Sequence, residues 1–345
     1  MASAPRAKAH IGSPLGEPPR LSVRWDNHVC LPFGQHRHEH FRDLERHKRA
    51  SFNIAAVNIG YAGRTWAEHV DFARDFSEWI AENEQGFLFV RDVAGIREAI
   101  ESDRLGIFYD VEGADLLEGK LERVETLQGM GVRWMCLTYN VENALVGGCS
   151  PDSRDSGLTE FGRDVVREMN RVGMVVCCSH TGSASVRQII EWSEKPTIFS
   201  HSNCRQVFGH WRNVDDNVIK ACAHKGGVIC VNGVGPFLSE PPYDSLVDKL
   251  LDHIAHLANV VGIEHIGIGL DYVYDQDELA EILKRQTRLF GGTDNAPTAF
   301  EFIAPEQVPA IEQGLRARGF SDDDIERVFG ANLLRVCCDT WQAPA

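Results

Sequence analysis

The chain has 345 residues, 43 % of them hydrophobic, and a net charge of −15. That length admits one large α/β barrel or two ordinary domains. The acidic balance excludes nucleic acid and anionic membrane surfaces as partners, and no apolar run reaches the length of a membrane span.

Residues 1–20 (MASAPRAKAHIGSPLGEPPR) have no apolar core of a secretory signal and read as a loose Pro/Gly/Ala arm. The run 21–28 (LSVRWDNH) is the first strand, breaking at Asp26-Asn27-His28-Val29-Cys30. Between 35 and 47, His36, His38, His40 and His47 stand among Arg and Glu, which reads as a solvated helix or loop. Strand two is 52–58, followed by an amphipathic helix over 66–82. The short run 86–90 is left outside the main count, and 92–102 is helical. Strand three, 105–109, leads into Asp110-Val111-Glu112-Gly113. A helix at 120–130 precedes strand four, 134–138, which ends at Tyr139-Asn140. The Gly/Ser/Asp-rich stretch 146–157 is a rim loop. A helix at 158–172 stops at Gly173.

Strands five (175–178) and six (197–199) each end in Ser-His, at His180 and His201, with a helix over 183–192 between them. A helix at 213–224 leads to strand seven, 228–232. A helix at 246–261 leads to strand eight, 265–270, and Asp271. Residues 272–304 are too long and polar for an idle connection, and helices at 305–319 and 322–328 close the chain. No internal repeat or linker breaks 21–340. The expected fold is therefore one (β/α)8 TIM-like barrel over 21–345, with an insertion about 272–304.

Polar groups stand at the carboxyl end of nearly every strand of that barrel: His28 and Cys30, Glu112, Tyr139, His180, His201, Asn232 and Asp271. His28, Glu112, His180 and His201 offer nitrogen and oxygen ligands for one or two cations, and a carboxylate on a middle strand can bridge two ions. Such ions make hydroxide available from bound water near neutral pH. Asp271, alone at the end of strand eight, suits proton transfer to a leaving amine. Of ten cysteines, Cys136, Cys177, Cys178 and Cys230 sit inside apolar runs, Cys177-Cys178 and Cys337-Cys338 are adjacent, and no CxxC occurs. This usage suits a reduced, cytoplasmic protein.

Four ordered blocks carry a resemblance: GLTEFGRDVVREMNRVGMVVCCSH (157–180), IFSHSN…HWRNVDD (198–216), HIGIGLD (265–271) and GANLLRV (330–336). From about Trp25 to Val336 the chain resembles the renal-type membrane dipeptidases. The resemblance implies a barrel of the metallo-dependent hydrolase type, usually with two zinc ions though one is possible, often dimeric, that cleaves dipeptides or similar small amides bearing a carboxylate. It implies His28 as the first-strand ligand, Glu112 as the bridging Glu, and His180 and His201 as ligands of the second metal. Arg212 matches the residue that receives the substrate carboxylate, and Asp271 the proton carrier.

Two positions depart from that pattern. The family motif Asp-Gly-His-Asn-Asp is here Asp26-Asn27-His28-Val29-Cys30, so Cys30 replaces an Asp ligand. A thiolate binds zinc and favours it over manganese or magnesium; the alternatives are a weak first site in a mononuclear enzyme and a buried structural thiol. Tyr139 stands where the mammalian enzymes carry a His that contacts the substrate carbonyl; a phenol still donates a hydrogen bond to an oxyanion. Two alternatives stay open: metal-dependent hydrolase or lyase chemistry on a non-peptide metabolite, and a non-catalytic relative with a degenerate first metal site.

Overall fold

The computed structural model describes residues 22–34, 36–290 and 300–341. The expected arm at 1–20, and part of the expected insertion at 272–304, lie outside the described residues. The strands are β1 (Trp25–Cys30), β2 (Ile54–Tyr61), β3 (Phe87–Phe89), β4 (Leu105–Glu112), β5 (Val132–Cys136), β6 (Val175–Cys177), β7 (Ile198–Phe199), β8 (Val228–Val231), β9 (Ile266–Ile268) and β10 (Tyr272–Val273). Every pairing among them is parallel. Their order is β10-β1-β2-β4-β5-β6-β7-β8-β9, with β3 off the path on β4. Only residues 269–271 separate β9 from β10. The two ends of the order are thus one chain segment, and the sheet curls into a ring of eight strand positions. β3, from the run at 86–90, lies outside that ring.

Side chains on the barrel's inner face change character along each strand. Trp25, Ile54, Ala56, Phe108, Trp134, Cys136, Val175, Cys177, Ile198, Val228 and Cys230 form one buried apolar cluster. By the two-residue period of a strand, Asn58, Asp110, Glu112 and Ser200 continue the same columns toward the carboxyl ends. The floor is an aromatic plug: Phe108 meets Trp134 at 4.4 Å and Trp341 at 5.3 Å between ring centroids. The helices bury the outer face. Trp66–Glu82, for example, starts in a Thr65–Glu68 capping box and sets Phe72, Phe76 and Ile80 against the sheet.

Two strands, β2 and β4, are longer than their apolar stretches and end at Tyr61 and Glu112. β4 continues through Asp110 to Glu112, and β1 starts at Trp25 and ends at Cys30, where 21–28 was expected. Polar residues facing the barrel mouth stay in the backbone ladder, so hydrophobicity alone ends these strands too early. β1 also carries a register shift between Asp26 and Val29. Such a bulge re-aims side chains: Asn27 reaches Cys230 across the barrel, and His28 reaches Asp110.

The histidine-rich stretch is corrected in part. His36, His38 and His40 sit on or beside the short helix Arg37–His40 and keep some exposure. His47 is fully buried: Nε2 bonds Asp26 Oδ2 at 2.9 Å and Nδ1 bonds the Tyr274 hydroxyl at 2.7 Å. Asp26 Oδ1 in turn accepts the Leu270 N–H at 2.8 Å, so this network ties β1 to the segment that closes the ring. The described residues of the stretch 272–304 carry β10 and the helix Gln276–Arg285. Among the described residues no helix is long and apolar enough to cross a membrane.

Candidate metal centre and active-site cleft

The strand ends bring His28, Cys30, Glu112, His180, His201 and Asp271 to one point, with Arg212 and Tyr139 against it. Glu112 Oε1 lies 2.6 Å from His180 Nε2 and 3.1 Å from His201 Nε2. Its other oxygen, Oε2, lies 3.5 Å from His28 Nε2. Cys30 Sγ sits 3.4 Å from His28 Nε2 and 3.6 Å from Asp271 Oδ1. The His28 and His201 rings stack at 4.1 Å. Arg212, itself buried, donates from Nη2 to His180 Nε2 at 2.8 Å and from Nη1 to Ser202 Oγ at 3.2 Å. The Tyr139 ring stacks on His180 at 4.2 Å.

This donor set fits metal ions. Ligand atoms of Glu112, His180 and His201 lie within 4.8 Å of one another, and so do those of His28, His201 and Asp271. Asp271, expected only as a proton carrier, thus belongs to a group that could hold an ion. Cys30 is in neither group, although its sulfur stands beside His28.

The electrostatics agree with that fit. Burial, then the Arg212 guanidinium, pushes His180 down to about 3. Burial, then His28, holds His201 well below the ordinary imidazole range. Both rings are therefore neutral and keep a lone pair for a cation. Burial works to raise Glu112, but the charges of His28 and His180 outweigh it and hold the carboxyl well below its usual range. His28 goes the other way: burial opposes its proton, while Asp110, Cys30 and Glu112 raise it well above normal. Burial, helped by Glu112 and opposed by His28, lifts Asp271 to about 7. Burial also pushes up the Cys30 thiol, against His28, and raises Tyr139, which keeps its phenol proton at neutral pH.

Each imidazole has a partner on its second nitrogen. His28 Nδ1 bonds Asp110 Oδ2 at 3.1 Å, and Asn58 Nδ2 donates to the other Asp110 oxygen at 3.0 Å. His180 Nδ1 bonds Asn140 Oδ1 at 2.7 Å, and His201 Nδ1 bonds Ser200 Oγ at 2.7 Å. The acceptor on His180 places its proton on Nδ1 and leaves Nε2 free toward the centre, while Asp110 holds a proton on His28 Nδ1 and a cation would displace the second proton from His28 Nε2. Asn140 (φ 61°), His180 (φ 67°) and Asp271 (φ 59°) all adopt the left-handed region. That backbone turns each side chain inward just past its strand, at a cost of about 1–2 kcal/mol per residue.

These supporting residues were not singled out from the sequence. Asp110 had a signal: two positions before Glu112, it shares that residue's face of β4. Asn140 and Ser200 had only their places next to Tyr139 and His201. Replacing Asp110 by Asn is expected to weaken metal binding about 10–100-fold. Competition with a chromogenic chelator measures this directly, with circular dichroism confirming the fold. Asn232 plays a supporting part, donating from Nδ2 to the His201 carbonyl at 3.2 Å.

The sequence profile of the membrane dipeptidases (peptidase family M19) matches residues 52–285. The chain belongs to the membrane dipeptidase family. This family member is 33 % identical over 228 residues to an uncharacterised dipeptidase of Schizosaccharomyces pombe, covering 66 % of this chain and 51 % of that protein. It therefore spans about half the length of that curated relative. Among solved structures it is similar to an amidohydrolase from Pseudomonas aeruginosa, with TM-score 0.83 and 28 % identity over 92 % of this chain and 96 % of that one. It also shares its fold with a metallo peptidase from Rhodobacter sphaeroides bound to a phosphinate mimic of the dipeptide L-Ala-D-Ala. There the TM-score is 0.74, with 19 % identity over 92 % and 99 % of the two chains. The family member's helix Gln276–Arg285 and the aromatic residues Phe290, Phe300 and Phe302 wall the cleft above the cluster. The stretch 272–304, too long and polar for an idle connection, thus lines the cleft with its described residues.

Proposed function

We propose that this protein hydrolyses the amide bond of a dipeptide, or of a similar small amide with a free carboxylate, in a zinc-dependent reaction. The observation that carries the reading is the split environment of Glu112, with one oxygen beside His180 and His201 and the other beside His28. In this reading Glu112 would be shared between two ions, with His180 and His201 completing one set and His28 with Cys30 the other. A sulfur ligand makes zinc the fitting ion. Bound zinc would supply Lewis acidity, polarising the scissile carbonyl and making water a nucleophile near neutral pH.

The remaining work falls to the chain's own groups. Arg212 receives the substrate's carboxylate through its planar guanidinium, releasing its bond to His180. Tyr139 holds its phenol proton and donates it as a hydrogen bond to the developing oxyanion. Asp271 takes a proton from the attacking water and returns it to the leaving amine, a task suited to a carboxyl lifted to about 7. The cytoplasm and a homodimer complete the proposal, supported by the cysteine usage and by the family resemblance respectively.

The test is metal content by elemental mass spectrometry beside hydrolysis of a dipeptide panel. Two zinc ions per chain are expected, falling to about one in Cys30→Ala and returning in Cys30→Asp. A content unchanged in Cys30→Ala removes Cys30 from the ligand set. Full metal occupancy without cleavage of any dipeptide or N-acyl amino acid overturns the amide-hydrolase reading.

A further inference from the structure

The cleft is walled by rings. Phe33 lies 5.7 Å from Tyr61, Tyr61 lies 5.7 Å from Tyr139, and Tyr139 lies 5.9 Å from Phe290, between centroids. Phe300 and Phe302, stacked at 6.0 Å and 17°, line the same cleft. Half-buried aromatic faces in a concave site are surface for an apolar or aromatic ligand group.

The charges around the same cleft are already committed. Asp275 accepts the Glu278 N–H at 2.9 Å and caps the helix behind it. Glu278 accepts the Phe33 N–H at 3.0 and 3.3 Å and pairs with Arg64 at 3.7 Å. Among the described residues lining the cleft, every carboxylate outside the metal centre is thus held by the protein itself. A substrate ammonium placed here would lose its water and have to share a carboxylate that already serves the protein. Arg212, at the inner end of the cleft, still offers a cation to a carboxylate.

We infer that the acyl half of the substrate is uncharged and bulky: the cleft fits an N-acyl amino acid with an aromatic or large apolar acyl group. This rests on the metal-dependent amide hydrolysis proposed above. Water's oxygen joins the acyl carbon, the C–N bond breaks, and the amine leaves with the proton that Asp271 carries. The products are an apolar carboxylic acid and a free amino acid.

The deciding comparison uses the full-length, zinc-loaded protein and two substrates that differ only by an α-amino group. These are phenylalanyl-alanine and 3-phenylpropanoyl-alanine, each made with both hands of alanine. The expected result is a kcat/KM about tenfold or more higher for 3-phenylpropanoyl-alanine. In Phe300→Ala the preference for 3-phenylpropanoyl-alanine over acetyl-alanine is expected to fall about tenfold. Equal or faster cleavage of phenylalanyl-alanine overturns this inference and leaves amide hydrolysis standing. An unchanged preference in Phe300→Ala overturns the aromatic contact. Cleavage of none of these compounds at full metal occupancy overturns the inference together with the reading it rests on.

Discussion

Asp271→Asn is expected to slow amide hydrolysis about 10²–10⁴-fold, the span that a positioned acid–base group contributes, while making the metal-free protein more stable. The Asp271 side chain is 17 % exposed and its carboxyl is lifted to about 7 by burial and the nearby Glu112 charge. A carboxyl raised on folding stabilises the fold only while it holds its proton. That contribution is complete below pH 4 and is lost as pH rises through 7. The amide of Asn has no proton to lose, and Asn tolerates the left-handed backbone that Asp271 adopts. The variant should therefore match the parent near pH 4 and gain about 1.4 kcal/mol per pH unit up to 7, then level off. Denaturant unfolding of chelator-treated protein at a series of pH values measures this. A stability difference independent of pH would contradict it. In the metal-loaded enzyme the acid limb of kcat/KM should lie at or below 7, because added positive charge favours the carboxylate.

Glu112→Gln is expected to empty both metal positions. Its two oxygens face different imidazoles, His180 and His201 on one side and His28 on the other. A neutral amide keeps the shape but loses the charge that offsets two cations. Zinc per chain should fall below one, and hydrolysis should drop roughly 10³-fold or more, a modest part of what enzymes reach. His180→Ala differs in kind, because it removes a ligand from one ion only; the other ion should remain. Equal metal loss in the two variants would show that Glu112 serves a single site.

Much of the centre could be read along the chain, because its ligands follow local rules. A strand sends alternate residues to one face, and the barrel's polar residues gather at its carboxyl ends. His28, Glu112, His180, His201 and Asp271 are therefore visible as strand-end groups before any contact is known. The helix Trp66–Glu82 is equally local, since its capping box and apolar face lie within one segment. The stretch around His47 shows the limit: interleaved charges mark it as solvated, yet the ring is buried against Asp26 and Tyr274.

The sequence by itself thus determined the barrel, the order of its strands and the chemical types at its mouth. Only the tertiary structure decided how those types meet. Cys30 reaches Asp271 across 241 positions of chain, and Arg212 reaches His180 across 32. The bulge in β1, the left-handed turns at Asn140, His180 and Asp271, and the supports Asp110 and Ser200 depend on neighbouring strands. So does the aromatic wall, assembled from segments as distant as Phe33 and Phe302. The physical reason is that hydrophobic period and residue type act within a few positions. Register, bulges and hydrogen-bond partners are set only when the ring of strands closes.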